Sequence, residues 1–283
     1  MKIHQIDLHY HAGRERAAGK SLRDYVMFAY VTGRRILGIT DHANLHITQN
    51  PDGSLPPFTK STENFIKIRA EMDALRSEFP EMQLFLGPEL GPEFTHDKME
   101  HALVEVSDYF ICESVAFRGH AAQNTQYLLE AIERCSHIAK HTGRPAFLAH
   151  PFRSQMYHRY DTFCYGPADY AGPDNITDEE AADFLGTDLI ALGDWAAKLS
   201  VPIEINGVTL YRAHCLNRPY FRDVVRHAYK VLFSRGVMFV PGSDQHLLSV
   251  GEGATPVPED TFDILGLETK DIVFLERIGA RFL

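Results

Sequence analysis

The apolar residues of this chain fall into two alternating textures. Short runs of strand character lie at 3–9 ("IHQIDLH"), 35–40 ("RILGIT"), 83–89 ("QLFLGPE"), 108–112 ("DYFIC"), 145–150 ("PAFLAH"), 201–206 ("VPIEIN") and 237–244 ("VMFVPGSD"). They favour the β-branched and aromatic residues that suit a pleated surface and read as seven strands. Amphipathic stretches separate most of them. "SLRDYVMFAYVTG" opens on a serine able to cap a helix and stops at Gly33. "STENFIKIRAEMDALRSEF" sets Phe65, Ile68, Met72 and Leu75 near helical spacing, with Pro80 behind it. "NTQYLLEAIERCSHIAKHTG" and "TDEEAADFLGTDLIALGDWAAKLS" read the same way. Strand, helix, strand in one direction calls for parallel strands with crossover helices, as a barrel or a doubly wound sheet. Two segments break the rhythm: turn-rich 44–58 and the aromatic, Gly/Pro-bearing 152–176. Connections of that length more often serve function than mere linkage, and 152–176 is expected to be a lid inserted in one domain spanning 1–283.

Composition narrows the class. With 283 residues, 45% of them apolar, the chain has core enough for one α/β barrel. A net charge of −10 argues against duplex nucleic acid, but a small anion needs only a local positive site, which a metal cluster supplies. Four scattered cysteines without a C-x-x-C, and no signal-like N-terminus, point to a reduced, cytoplasmic setting. No apolar run approaches the ~20 residues of a membrane span. Fifteen histidines are unusual, although some, such as His137 and His141 beside Lys140, read as surface residues.

The chemistry collects where the strands end. In "IDLHYH", alternation sends Ile6, Leu8 and Tyr10 one way and Asp7, His9 and His11 the other, and two imidazoles on one face can share a cation. Alone, an H-x-H is more often a solvated pair. The later runs, however, end in "TDH" (Asp41, His42), Glu89, His150, Glu204 with Asn206, and "GSDQH" (Asp244, His246). Parallel α/β architectures place all carboxyl strand ends on one face, and that face carries the site.

The order "DLHYH", "GITDH", "GPE", "AHP", "GSDQH" resembles the polymerase and histidinol phosphatase (PHP) superfamily from residue 3 to about 246. The resemblance implies a distorted seven-stranded (β/α)7 TIM-like barrel that hydrolyses small phosphoesters, histidinol-phosphatase-like, with a metal-bridging hydroxide. It implies two divalent metals with room for a third, drawn from Mn, Fe or Zn. By position, His9, His11, His42, Glu89, His150, Asp244 and His246 match the metal ligands, Asp244 and His246 serving catalysis as well. Asp7 and Asp41 read as residues that orient imidazoles. Glu204 and Asn206 match a recurrent "EIN" strand end, fixing loops or touching substrate.

Two departures bear on metal count. Where the family commonly has "GSVH", this chain has "CESVAF", with Ala116 near the ligand histidine; Glu113 offers a carboxylate instead, and His120 could reach in. Where many members carry "SDG", this chain has "GRERAAGK", with Glu15 the comparable ligand. Arg14 and Arg153 are expected to bind the phosphate of a small phosphorylated substrate, since a guanidinium fork suits it. No G-x-S-x-G elbow or glycine-rich phosphate loop competes. The rival readings are a metal-dependent amidohydrolase, which shares the opening H-x-H but wants a mid-chain lysine, and a degenerate metal-binding barrel without turnover.

Overall fold

Ten strands, every pairing parallel, carry the architecture in this computed structural model, which describes residues 2–13, 19–43, 59–114, 121–152, 170–215, 218–246, 248 and 259–281. They are β1 (Ile6–Tyr10), β2 (Ile36–Ile39), β3 (His42–Ala43), β4 (Thr59–Lys60), β5 (Gln83–Leu86), β6 (Glu89–Leu90), β7 (Phe110–Cys112), β8 (Ala146–Leu148), β9 (Ile203–Asn206) and β10 (Phe239–Gly242). One sheet has the order β1-β2-β5, the other β10-β9-β8-β7-β6-β3-β4. The chain is thus an α/β protein.

The strand count exceeds the seven expected because two runs are each cut in two and β4 had no expectation. Pro88 lacks the N–H a central strand must donate, and this separates β5 from β6. Between β2 and β3, the Thr40 N–H turns to the Tyr10 carbonyl at 3.0 Å. The cut strands remain neighbours, since Gly87 N–H donates to the Ile39 carbonyl (3.0 Å) and Glu89 N–H to the Asp41 carbonyl (3.2 Å). At the far edge a parallel bridge joins Tyr10 to Gln245. There the Asp244 N–H donates to the His9 carbonyl (2.6 Å) and the His11 N–H to the Gln245 carbonyl (2.9 Å).

The helices are α1 (Leu22–Val31), α2 (Thr62–Leu75), α3 (His101–Val106), α4 (Ala121–Thr142), α5 (Asp178–Leu185), α6 (Leu189–Leu199), α7 (Gly207–Cys215), α8 (Pro219–Ser234), α9 (Glu259–Leu265) and α10 (Phe274–Arg277). Ser21 caps α1 through the Asp24 N–H, as its position predicts. The single helix expected across 177–200 is two. Gly186, left-handed at φ 61°, ends α5, and the Asp188 carboxylate caps α6 by accepting from the Ala191 N–H at 2.9 Å. None of the described helices is long and apolar enough to cross a membrane.

Two apolar layers hold the strands. The larger lies between strands and helices. The smaller gathers Ile6, Leu8, Phe85, Tyr109 and Phe147 against Phe274 and Leu275 of α10. Tyr109 centres it: its hydroxyl donates to the Leu8 carbonyl (2.7 Å), and its ring lies 5.8 Å from Phe147 and 5.5 Å from Phe274. Gly87 makes room, since a Cβ there would sit 2.0 Å from the Tyr109 ring. Tyr10 leaves the face it was expected to share with Ile6 and Leu8. The β1–β2 register shifts between Asp7 and Tyr10, and the Tyr10 ring packs at 6.2 Å from Tyr25 of α1 in the outer layer. Of the expected lid, 153–169 lies outside the described residues; beyond it the Tyr170 hydroxyl donates to Asp223 of α8 at 2.7 Å.

Candidate metal centre

His9 and His11 leave the end of β1 with their Nε2 atoms 3.0 Å apart. Asp244 Oδ1, just after β10, stands 3.8 Å from His9 Nε2 and 3.4 Å from His11 Nε2. Glu89 Oε2, at the start of β6, is 3.3 and 3.2 Å from the same two nitrogens. Four ligands held tetrahedrally about 2 Å from one cation are separated from each other by about 3.3 Å. Five edges of this set fall around that value, so the donors fit a divalent cation. His42 Nδ1 approaches Glu89 Oε2 at 3.1 Å, while the other oxygen, Oε1, meets His150 Nε2 at 3.0 Å. The His246 ring stacks on His11 with centres 4.1 Å apart.

Glu113, the carboxylate offered in place of the family's ligand histidine, gathers with His42 and Glu89 to within 4.8 Å, while Glu89 and His150 gather with His9. Arg14, Glu15, Ala116, His120 and Arg153 lie outside the described residues.

Glu204 has a larger part than its strand-end position suggested. Fully buried, it accepts from His9 Nδ1–H at 2.8 Å through Oε1, which turns Nε2 toward Asp244 and Glu89. Its Oε2 accepts the His150 N–H at 2.7 Å and the Asn206 side-chain amide at 3.1 Å. Gly242 leaves no alternative at this spot: a Cβ would sit 2.2 Å from Glu204 Oε1 and 2.6 Å from His9 Cβ. Asp7 and Asp41 do not orient imidazoles. Asp7 forms a buried ion pair with Arg34 (2.9 Å) and accepts from the Ser243 N–H (2.9 Å). Asp41 accepts from the Ala12 N–H (2.7 Å). Asp7 thus answers a buried guanidinium and a buried amide, and Asp41 a buried amide, donors that would be costly to leave unsatisfied.

Charge shapes the centre. Burial works to discharge His9, but Glu204, Glu89 and Asp244 overcome it and hold its pKa well above the ordinary 6.5. His11 is raised in the same way, burial being outweighed by Asp244 and Glu89. His42 goes the other way, burial lowering it to about 4 despite Glu89. Burial pushes Glu89 up, yet the surrounding imidazoles, His42 and His9 foremost, keep it well below the usual carboxylate range. Two of the gathered residues, His150 (φ 28°) and Asp244 (φ 54°), are left-handed, a strain that packing must sustain.

No protein-family model matches the chain, and no curated protein matches its sequence. Solved structures do match its fold. A histidinol phosphate phosphatase from Lactococcus lactis subsp. lactis Il1403, complexed with zinc, L-histidinol and phosphate, aligns with TM-score 0.54 and 14% identity over 98% of this chain and 95% of its own. A chain in the cryo-EM structure of archaeal ribonuclease P with mature tRNA aligns with TM-score 0.50 and 13% identity over 96% and 89%. At such identities the likeness is one of fold: parallel strands alternating with helices.

Proposed function

We propose that this chain is a metal-dependent phosphoesterase acting on small phosphomonoesters, on a seven-stranded barrel of the PHP kind. In this reading β2 with β3 and β5 with β6 each count as one barrel strand, the two-residue β4 at the edge beside β3 lies outside the barrel, and the Tyr10–Gln245 bridge is the closing seam. The observation that carries the function is the set His9, His11, Glu89 and Asp244, five of whose six donor separations are 3.0–3.8 Å. These four hold one cation. Glu89 and His150 reach a second, and His42, Glu113 and His246 line the remaining side of Glu89 and His11. Imidazole and carboxylate together suit Zn, Fe or Mn.

When bound, such cations supply a nucleophile at neutral pH and neutralise charge on the phosphoryl oxygens during in-line displacement. The protein's own groups set the rest. His246 is partly exposed, its Nδ1 faces the Asp244 carbonyl at 3.0 Å and its ring stacks on His11, which places the imidazole to move a proton or hold a cation. Glu204 fixes His9, and Arg14 and Arg153 are assigned to the substrate phosphate. A net charge of −10 favours a small substrate over nucleic acid.

The test is metal quantification on purified protein with a panel of phosphomonoesters, histidinol phosphate among them. Turnover that disappears on chelation, returns with Zn, Fe or Mn, and is abolished in Asp244→Ala and His9→Ala while both stay folded supports the reading. Cyclic amide hydrolysis instead makes it an amidohydrolase. Bound metal with no turnover on either class makes it a degenerate barrel.

A further inference from the structure

The surface of α4 carries a second histidine cluster, remote in character from the buried centre. Glu133, His137 and His141 stand at successive helical turns and so share one face of α4. The short 3-10 turn His96–Lys98 lays His96 across that face, its ring centre 5.5 Å from His137 and 5.6 Å from His141. Two imidazoles that each bind one cation through a nitrogen at about 2 Å have ring centres about 5 Å apart. As they stand the three rings are not gathered as tightly as those of the buried centre, and rotation of these exposed side chains brings them to a common point. Among the described residues none of them is engaged in a hydrogen bond, so their nitrogens face solvent uncommitted. Beside them runs a groove of about 450 Å³ whose lining includes Asp97, Tyr127 and Glu133 with His96 and His137.

We propose that His96, His137 and His141 form a surface site for a divalent transition cation of the zinc type, a carboxylate from the groove or water taking the fourth position. Three imidazoles select Zn, Cu or Ni over Mg or Ca, which prefer oxygen ligands. Exposure makes the site exchangeable. Occupied, it clamps the 96–98 turn to α4, the helix whose Arg134 donates to the Glu113 carbonyl at 2.6 Å. This inference does not depend on the phosphoesterase reading.

The experiment adds Zn2+ to full-length protein already loaded at its buried centre, removes loose metal on a desalting column and counts zinc per chain. Wild type is expected to retain one zinc more than the His137→Ala/His141→Ala double variant. His96→Ala should weaken that extra zinc about tenfold, read by competition with a chelator of known affinity. His101→Ala, at an exposed histidine outside the cluster, should match wild type. Equal zinc in wild type and the double variant, no effect of His96→Ala, or an equal loss in His101→Ala (scattered surface binding) overturns the proposal. All four positions are exposed, so the variants are expected to fold, and an unchanged melting temperature in metal-free buffer verifies it.

Discussion

The inner cluster around Tyr109 and the cluster around Glu89 are built from overlapping strands, yet they obey opposite rules. Around Tyr109 the contacts are apolar, and the one hydroxyl finds the Leu8 carbonyl, so the region stabilises without depending on proton uptake or release near neutral pH. Around Glu89, four imidazoles crowd one buried carboxylate, two residues adopt left-handed backbone, and proton sharing decides the energy. One region holds the fold, and the other is held by it. Functional sites commonly store such strain where the surroundings over-determine it.

The largest expected effect tests the first half of that contrast. Tyr109→Ala should cost about 3–5 kcal/mol, because the space beside Gly87 is too confined to refill. A thermal melt should show the loss, while metal per folded chain stays at the wild-type value; metal loss without destabilisation would merge the two regions. Next, Glu204→Gln keeps the shape but weakens the hold on His9, and metal affinity or turnover should fall about 10–100-fold with little change in the metal-free melt. A third, smaller effect concerns Glu113→Ala, which should lose or weaken one cation per chain after dialysis and spare the one at His9, His11 and Asp244. Unchanged stoichiometry and activity would remove Glu113 from the centre.

The smallest effect is a pH trend. His9 and His11 are raised above 6.5, so their stabilising protons are fully in place below 6.5 and are lost as pH climbs through the folded values. His42, lowered to about 4, is neutral in folded and unfolded chains above 6.5 and stays out of that window. Chelated protein should therefore lose stability as pH rises above 6.5. Metal-loaded protein should gain, because cations displace those protons more easily there. Parallel trends in the two melts would refute the charge sharing.

Much of this was legible because strand ends and metal-binding residue types are local properties. The apolar runs each contain a strand, and polar residues closing most of them, His9, His42, His150, Glu204 and Asp244, surround Glu89 or support those that do. What escaped depends on partners far along the chain. Nothing near Glu204 reveals that it grips His9, 195 positions away. Asp7 looks like a companion for imidazoles until Arg34 is found buried against it. The break at Gly186 was visible as a glycine followed by an N-cap aspartate, but continuous helical spacing masked it. The amphipathic run that forms α8, with Pro219 in its first turn, carries a helix signal in the sequence as well. The Glu133–His137–His141 row is likewise plain in the sequence, whereas the approach of His96 is not.

The seam joining β1 to the chain after β10 also sets an order of events during synthesis. Ser243 bonds its hydroxyl to the His9 carbonyl across 234 positions, and Asp244 docks beside it. A nascent chain still lacking that last stretch possesses His9, His11 and Glu89 but neither the fourth donor nor the clasp that fixes their spacing. Such distant contacts form late and slowly. In the proposed reading, interrupted translation products therefore lack the Asp244 donor, and the four-donor set is completed only once the chain has passed residue 244.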